Sequence, residues 1–543
     1  MRMRKRFFIM PAMTATLIIA ANCGTDKSTP NPQPNPAKWT VLVYADGNNS
    51  FDSSSDGYSY CVRDIQNLEE VGSSNDVKVI AMLSSLISGD SAKYYRIEHF
   101  PNDTLNQISS PVLKNLGSMN MADPSTFRNF LLYGIQNYPA AKYILLIDDH
   151  GTGWKGSCVD QPHGGGSLIS TTAMANAIEQ VLSESASSKF EVMAFISPLM
   201  SMTEVAYELR NSANWFVASE ITLPMQNLIS SENWLAPLQN DPSVDGAVMA
   251  GSIAAAIDGE ARVHGKSVQV AAINLSKINF VAWLVDQLAS NINLHAGSYW
   301  SEVLDARSQA HNATYHDSAH VDLSEFAYAL TREPHLANID EIRITAESLT
   351  AAIYNAVPTN LTNIDGVPLY GLTIHLPSQR IWYDSTLYAE LDFRNLNWSG
   401  FVSNFISESE GSGLLTTISG TVDWPSDTLS GIVRVFLDTL AMPSVQIMYS
   451  ALVDTLTGHF SISFSLHDSL AIAFEGWDDV DMDSTADLGD GYGFWDSDSD
   501  NLWHLPEDMV TVHPGQTVSG INIRLATIFN RQVSSNLPLR KIK

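Results

Sequence analysis

The sequence is poor in cysteine and in basic residues. Its 543 residues include only 3 cysteines, and only Cys61 and Cys158 follow the N-terminal segment. Two cysteines are too few for the disulfide framework of a chain this long, and the sequence leaves open whether they pair. Lysine and arginine number 30 against 59 acidic residues, for a formal net charge of −29. Because such a protein repels a polyanion, the composition excludes a nucleic-acid partner.

Long apolar runs are also scarce, and the most apolar one is at the N-terminus. The basic stretch "MRMRKRFF" leads into "FFIMPAMTATLIIAA", which is typical of an export signal and too short for a good membrane span. We predict a signal peptide over residues 1–23 that ends at Cys23. A lipid on Cys23 would make the exported protein a cell-envelope lipoprotein, attached to the membrane through its N-terminus. The alternative is plain secretion. The Pro-rich residues 24–37 are typical of a flexible tether.

Apolar strands alternate with helical patterns from residue 38 to residue 407. The strands include "KWTVLVYA", "DVKVIAML", "AKYILLIDD" and "KFEVMAFIS", and helical stretches lie between them. This alternation predicts an α/β fold with a mainly parallel sheet flanked by helices. Ligand sites in such folds lie at the carboxyl ends of the strands.

The C-terminal part has a different pattern, with short strands and no helical period. A Gly/Ser-rich linker is predicted over residues 408–414, a small accessory β-sandwich over 415–530 and a tail over 531–543. An acidic loop of the sandwich spaces aspartates among small residues, and oxygen-rich loops suit calcium. We therefore take as candidate calcium ligands Asp479, Asp481, Asp483 and Asp487. The alternative is a solvated acidic loop. No other cofactor is required.

Two turns at the ends of apolar strands carry the most informative residues. In "AKYILLIDDHGTGWKG" a buried strand runs into His150 on a Gly-rich turn. The next buried strand runs into "FISPLMSMTEVAYELR", where apolar residues spaced by three and four predict a helix. Ser197 suits its N-cap and Pro198 its first position. We expect the two turns to lie side by side at one edge of the sheet.

These two stretches resemble motifs of the clostripain family of cysteine peptidases, which have a caspase-like fold. The "HGTGW" turn matches the family's turn around its catalytic histidine, and "LM" with "EVAYEL" matches the flank of its cysteine motif. "WTVLVYADGNN", "VDLSEFA" and "GLTIHLP" are further similarities, so the resemblance covers roughly residues 38 to 407. It implies that His150 occupies the position of the catalytic base.

The resemblance fails at two positions that the family's reaction requires. In register, the family's cysteine nucleophile falls on Pro198, and the aspartate that binds a basic P1 side chain falls on Ile196. Proline has no thiol and no backbone N–H, so it can neither attack a carbonyl nor donate to an oxyanion. The sequence therefore predicts an inactive homologue with a vestigial His150. Its old cleft would bind a peptide or a protein partner.

Other hypotheses remain open at this stage. Cys158, in the loop after His150, is a candidate displaced nucleophile that would make the chain an active cysteine endopeptidase. Ser197 has a hydroxyl but lies one residue out of register. A third hypothesis, of another class, is a surface adhesion or scaffold lipoprotein that binds through the β-sandwich.

Overall fold

The chain from Ala37 onward folds as alternating strands and helices, followed by strands alone. The computed structural model describes residues 36–52, 59–87, 89–101, 106–164, 167–224, 228–310, 319–364, 366–423, 432–441, 444–466, 470–479, 491–494 and 509–527. Cys23 and the predicted signal and tether up to residue 35 lie outside these residues.

The first thirteen strands belong to the α/β part. They are β1 (Ala37–Gly47), β2 (Val77–Ser85), β3 (Ala92–Arg96), β4 (Val112–Gly117), β5 (Ala140–Asp148), β6 (Gly156–Asp160), β7 (Ser167–Ser170), β8 (Phe190–Ile196), β9 (Ala213–Ala218), β10 (Gln269–Asn274), β11 (His320–Asp322), β12 (Thr359–Thr362) and β13 (Thr373–His375).

The helices of the described residues all precede the C-terminal strands. They are α1 (Tyr60–Glu69), α2 (Pro124–Asn137), α3 (Gln161–Gly164), α4 (Thr171–Ser185), α5 (Thr203–Glu208), α6 (Ser231–Asn240), α7 (Gly246–Val263), α8 (Ile278–His295), α9 (Trp300–Gln309), α10 (Leu323–Leu330), α11 (Asp340–Ala356), α12 (Ser385–Tyr388) and α13 (Trp398–Ser412).

A nine-stranded sheet forms the centre of the α/β part, in the order β12-β10-β9-β8-β5-β1-β2-β3-β4. The five strands from β9 to β2 run parallel, and the strands at both edges are antiparallel. Strands β1, β5 and β8 are almost wholly buried, which explains their continuous apolar runs. The prediction of a mainly parallel sheet flanked by helices is confirmed.

Each face of the sheet is covered by its own apolar core. On one face, α1, α6 and α7 pack against the sheet around Trp39 and Trp234. On the other, α2, α4 and α8 pack around Tyr44, Phe127 and Phe216. Burying one such large apolar side chain contributes about 1.5–3 kcal/mol. The sheet edge between these two cores is therefore a rigid platform for the loops that follow its strands.

Two small sheets form the C-terminal part, as the sequence predicts. Their strands are β14 (Leu414–Asp423), β15 (Ile432–Ala441), β16 (Ser444–Leu452), β17 (His459–Leu466), β18 (Leu470–Asp479), β19 (Gly491–Phe494), β20 (Val510–Val512), β21 (Thr517–Arg524) and β22 (Ala526–Thr527). One sheet has the order β17-β14-β21, and the other β16-β15-β18-β19-β22 with β20 on β18. Both contribute to one apolar core that includes Val433, Phe464 and Ile523.

The boundary between the two parts differs in detail from the predicted linker. Residues 408–412 are the end of α13, and β14 begins at Leu414. Ala319 and Trp382 of the α/β part are buried in the C-terminal core, so the two parts pack directly on each other. Within the described residues, no helix has the length and apolarity needed to cross a membrane.

Candidate functional site

A pocket lies where three neighbouring strands of the sheet end. Strands β1, β5 and β8 are adjacent and parallel, so their carboxyl ends meet at the edge where α/β proteins bind ligands. The cavity holds about 150 Å³. It is lined by Ser50, Phe51, Tyr60, Asp64, Asp148, His150, Ile196, Pro198, Leu223, Pro224 and Leu228. The three candidate residues His150, Ile196 and Pro198 thus share one pocket.

His150 follows β5 and is held at both ring nitrogens. Its Nε2 lies 2.8 Å from the Ser50 Oγ, and its Nδ1 lies 3.1 Å from the Asp149 Oδ1. Burial lowers the pKa of His150 to about 4, because a charged imidazolium loses its hydration there. At neutral pH the imidazole is therefore uncharged and can accept a proton. The turn that follows needs a glycine at position 153, where φ is +64°.

Pro198 follows β8 but does not begin a helix, so that prediction is wrong. Helix α5 begins at Thr203, and Ser197 does not cap it. The intervening amides instead bond to the segment after β9: Leu199 N donates to the Ile221 carbonyl at 3.1 Å, and Ser201 N to the Ser219 carbonyl at 2.9 Å. These hydrogen bonds between distant loops outweigh the local capping preference. Leu199 adopts a φ of +64°, which is uncommon for a residue with a side chain.

Ser197 points away from the pocket. It is fully buried, it is absent from the pocket lining, and its Oγ lies 3.4 Å from the Ser157 Oγ. The structure therefore gives Ser197 no access to a ligand in the pocket.

Two carboxyl groups beside Ile196 were missed by the sequence analysis. Asp64 on α1 and Asp148 at the end of β5 line the same pocket, and the nearby Asp148 raises the pKa of Asp64 further than burial alone does. Burial raises the pKa of both groups, that of Asp148 to about 7. The charge of one carboxyl opposes ionisation of its neighbour. The pocket thus combines an apolar wall at Ile196 with a polar wall at the acid pair.

Both cysteines of the described residues, Cys61 and Cys158, are buried free thiols. Cys61 packs in the core on one face of the sheet and Cys158 in the core on the other. Neither belongs to the pocket lining. Burial is the main reason that the pKa of Cys158 is raised well above its usual value, and the nearby Asp149 raises it further. A buried thiol without a thiolate is a poor nucleophile.

The residues of the "EVAYEL" match make structural contacts with distant segments of the α/β part. Glu204 on α5 accepts hydrogen bonds from the His375 N at 2.9 Å and from the Tyr388 hydroxyl at 3.0 Å. Glu208 accepts from the Phe393 N at 3.2 Å. Trp154, from the "HGTGW" turn, packs on His375 and Tyr388. The motif residues therefore connect the segments around the two turns to the rest of the fold through hydrogen bonds and ring packing.

The candidate calcium ligands fall almost entirely outside the described residues. Asp481, Asp483 and Asp487 are not among them, and Asp479 is described only as the last backbone position of β18. In the described part of the chain, no group of three or more His, Cys, Asp or Glu side chains is arranged to hold a metal ion.

The pocket and its fold can be compared with known proteins. Clostripain of Hathewaya histolytica is 26% identical over 226 residues, which are 36% of this chain and 40% of that protein. The aligned region thus spans less than half of the curated relative. An inactive zymogen C11 protease from Parabacteroides distasonis has a similar solved structure, with 17% identity, a TM-score of 0.51 and coverage of 68% of this chain and 99% of that one.

A second solved structure has a similar fold. It is a secreted C11 cysteine protease from Bacteroides thetaiotaomicron, with 14% identity, a TM-score of 0.50 and the same coverage of 68% and 99%. At these identities the likeness establishes the fold alone. The sequence pattern is more specific: a family model described as "Clostripain family" matches residues 43–388. Because that match covers more than half of the sequence and includes both turns at the pocket, the chain belongs to the Clostripain family.

Proposed function

We propose that the chain is an exported member of the Clostripain family that does not carry out cysteine-peptidase chemistry. The observation that carries this proposal is Pro198, which lines the pocket beside His150 at the position where the family resemblance expects a cysteine. Proline supplies no attacking group, and neither thiol of the described residues reaches the pocket. The base is present and the thiol nucleophile is not.

The retained cleft supports binding of a peptide or a protein partner. Its walls combine the apolar side chains of Ile196 and Leu228 with the Asp64–Asp148 acid pair, a mixture typical of ligand pockets. The rigid sheet edge keeps this cleft in shape whether or not chemistry follows. The proposed activity is therefore recognition without thiol-dependent cleavage.

Fluorogenic Arg and Leu peptides test the proposal directly. We expect wild type and the His150→Ala variant to show the same background, because loss of the nucleophile in a comparable hydrolase costs on the order of a millionfold in turnover. Cys158→Ser is the matched control for a displaced thiol and should change nothing. Turnover that iodoacetamide abolishes, and that Cys158→Ser or His150→Ala removes, would overturn the proposal.

The N-terminal segment supports lipid attachment at Cys23. We expect the mature chain to begin at an acylated Cys23, which mass spectrometry of the N-terminal peptide detects. Cys23→Ser should move the protein from the membrane fraction to the soluble fraction. A mature chain with a free amino group at a residue after Cys23 contradicts this expectation.

The acidic loop supports a calcium site at Asp479, Asp481, Asp483 and Asp487. An ion bound only by the folded state stabilises it, by about 2.7 kcal/mol at a hundredfold excess over Kd. We expect millimolar calcium to raise the melting temperature, and an Asp481→Asn, Asp483→Asn double variant to lose that shift. An equal shift in both proteins, or none in wild type, would remove calcium from the proposal.

A further inference from the structure

Ser50, His150 and Asp149 form a continuous hydrogen-bonded chain. The Ser50 Oγ lies 2.8 Å from the His150 Nε2, and the His150 Nδ1 lies 3.1 Å from the Asp149 Oδ1. These are the contacts of a serine, a base and a carboxylate that orients the base. Such a constellation is recognised by its geometry, because it recurs on unrelated folds and in any chain order.

The surroundings of Asp149 favour the tautomer that this chemistry needs. Its Oδ1 accepts from the Asn49 Nδ2 at 2.6 Å, and its Oδ2 accepts from the Val159 N. Burial raises the pKa of Asp149, but both of its oxygens already accept from N–H donors. This arrangement favours a His150 that donates from Nδ1 and keeps the Nε2 lone pair for the Ser50 hydroxyl. The low pKa of His150, about 4 because of burial, keeps that lone pair free at neutral pH.

The serine faces a cavity suited to a short acyl group. Ser50 and His150 both line the pocket, and its apolar walls include Phe51, Ile196 and Pro198. The volume of about 150 Å³ holds a chain of about four to six carbons, since liquid water occupies about 30 Å³ per molecule. Tyr60 also lines the pocket and is the first residue of α1. The positive end of that helix dipole therefore lies at the pocket wall.

We propose that Ser50 is a nucleophile toward carboxylic esters with short apolar acyl groups, with His150 as its general base and Asp149 as the positioning residue. The Ser50 Oγ bonds to the acyl carbon while His150 Nε2 takes the hydroxyl proton. That proton passes to the leaving alkoxide as the ester bond breaks. Water then attacks the acyl-Ser50, again through His150, and releases the carboxylic acid and the free hydroxyl. This inference goes beyond the proposed function because it uses neither a thiol nor a peptide bond.

A second Ser–His–Asp chain on the surface provides a matched control. The Ser118 Oγ lies 2.6 Å from the His163 Nε2, and the His163 Nδ1 lies 3.0 Å from the Asp160 Oδ1. Ser118 is exposed and does not line the pocket that Ser50 lines. The Ser118 Oγ also donates to the Asp90 Oδ2 at 3.0 Å. The two sites therefore share the Ser–His–Asp contacts and differ in this second carboxylate and in the cavity.

Labelling with an alkyl fluorophosphonate, followed by peptide mass spectrometry, tests the proposal. We expect the phosphonyl group on Ser50 and not on Ser118, with the labelling rate reduced by about 10²–10⁴-fold in His150→Ala. Ser50→Ala should abolish both the labelling and the hydrolysis of p-nitrophenyl butyrate, whereas Ser118→Ala should leave both unchanged. Ser50→Cys should fold as wild type does and should become alkylated by iodoacetamide in a His150-dependent way.

The outcomes separate this inference from the proposed function. Wild type that remains unlabelled at Ser50 under conditions that label a known serine hydrolase overturns it, as does equal labelling of Ser118. Iodoacetamide should not affect ester hydrolysis by wild type. Ester hydrolysis that iodoacetamide inhibits would contradict the proposed loss of thiol chemistry. The Ser50 inference would then be decided by the fluorophosphonate labelling alone.

Discussion

The Pro198→Cys variant is expected to gain thiol-dependent peptidase activity at least about a hundredfold above the wild-type background, a modest part of what a nucleophile contributes in such enzymes. The change places a thiol in the pocket that His150 also lines. His150 is uncharged at neutral pH, because burial lowers its pKa to about 4. It can therefore take the proton of the new thiol. Cysteine also restores the backbone N–H that proline lacks.

A second proline in the pocket provides a control for the position of the introduced thiol. Pro224 lines the same cavity, so Pro224→Cys adds a thiol to the pocket at another position. We expect iodoacetamide to reach both introduced thiols, but peptide hydrolysis only in Pro198→Cys, and none in Pro198→Cys combined with His150→Ala. Equal hydrolysis by the two cysteine variants would mean that position 198 has no special place in the site. The measurement is the initial rate on fluorogenic Arg and Leu peptides.

The sequence predicts the part of the site that depends on strand order. Buried apolar runs at β1, β5 and β8 identify central parallel strands, and parallel neighbours end at the same edge. His150 and Pro198 each follow one of these strands, so their shared pocket follows from periodicity and turn position alone. Both signals are local in sequence, which makes them readable without a structure.

The parts that could not be predicted depend on contacts between distant segments. Ser50 reaches His150 across 100 residues of sequence, and Asp64 comes near Asp148 because α1 packs against β1, the neighbour of β5 in the sheet. The loop after β8 shows the same limit. Ser and Pro favour a helix start at positions 197 and 198, but hydrogen bonds to Ser219 and Ile221 hold that segment in a turn. Tertiary pairing overrides local preference there.

The residues that stabilise the family's fold are different from the residue at the nucleophile position. Glu204 and Trp154 make buried contacts that tie the turns to His375 and Tyr388. Removing such contacts destabilises the fold, whereas replacing a nucleophile by proline leaves them intact. A family member can therefore lose the thiol and keep both motifs around it.

The Gly151→Ala variant is expected to lose about 3 kcal/mol or more of unfolding free energy, at the upper end for overpacking a buried site. A methyl group on Gly151 would overlap the carbonyl oxygen of Pro198 and would lie 2.9 Å from the Met200 Sδ. The thioether is flexible and can move aside, but the carbonyl is main chain. It belongs to a loop that is fixed by the hydrogen bonds of Leu199 and Ser201. The two turns of the pocket should therefore be forced apart.

Gly259 provides the opposite case in the same protein. It lies within α7, and a methyl group there would meet no atom within 4 Å. Gly259→Ala should therefore stabilise the protein by up to about 1 kcal/mol, the difference in helix propensity between glycine and alanine. Urea unfolding of wild type and of the two variants measures these differences in unfolding free energy. If Gly151→Ala unfolds at the same urea concentration as wild type, the turns are not in close contact. The inference that the His150 turn and the Pro198 turn are in steric contact would then be wrong.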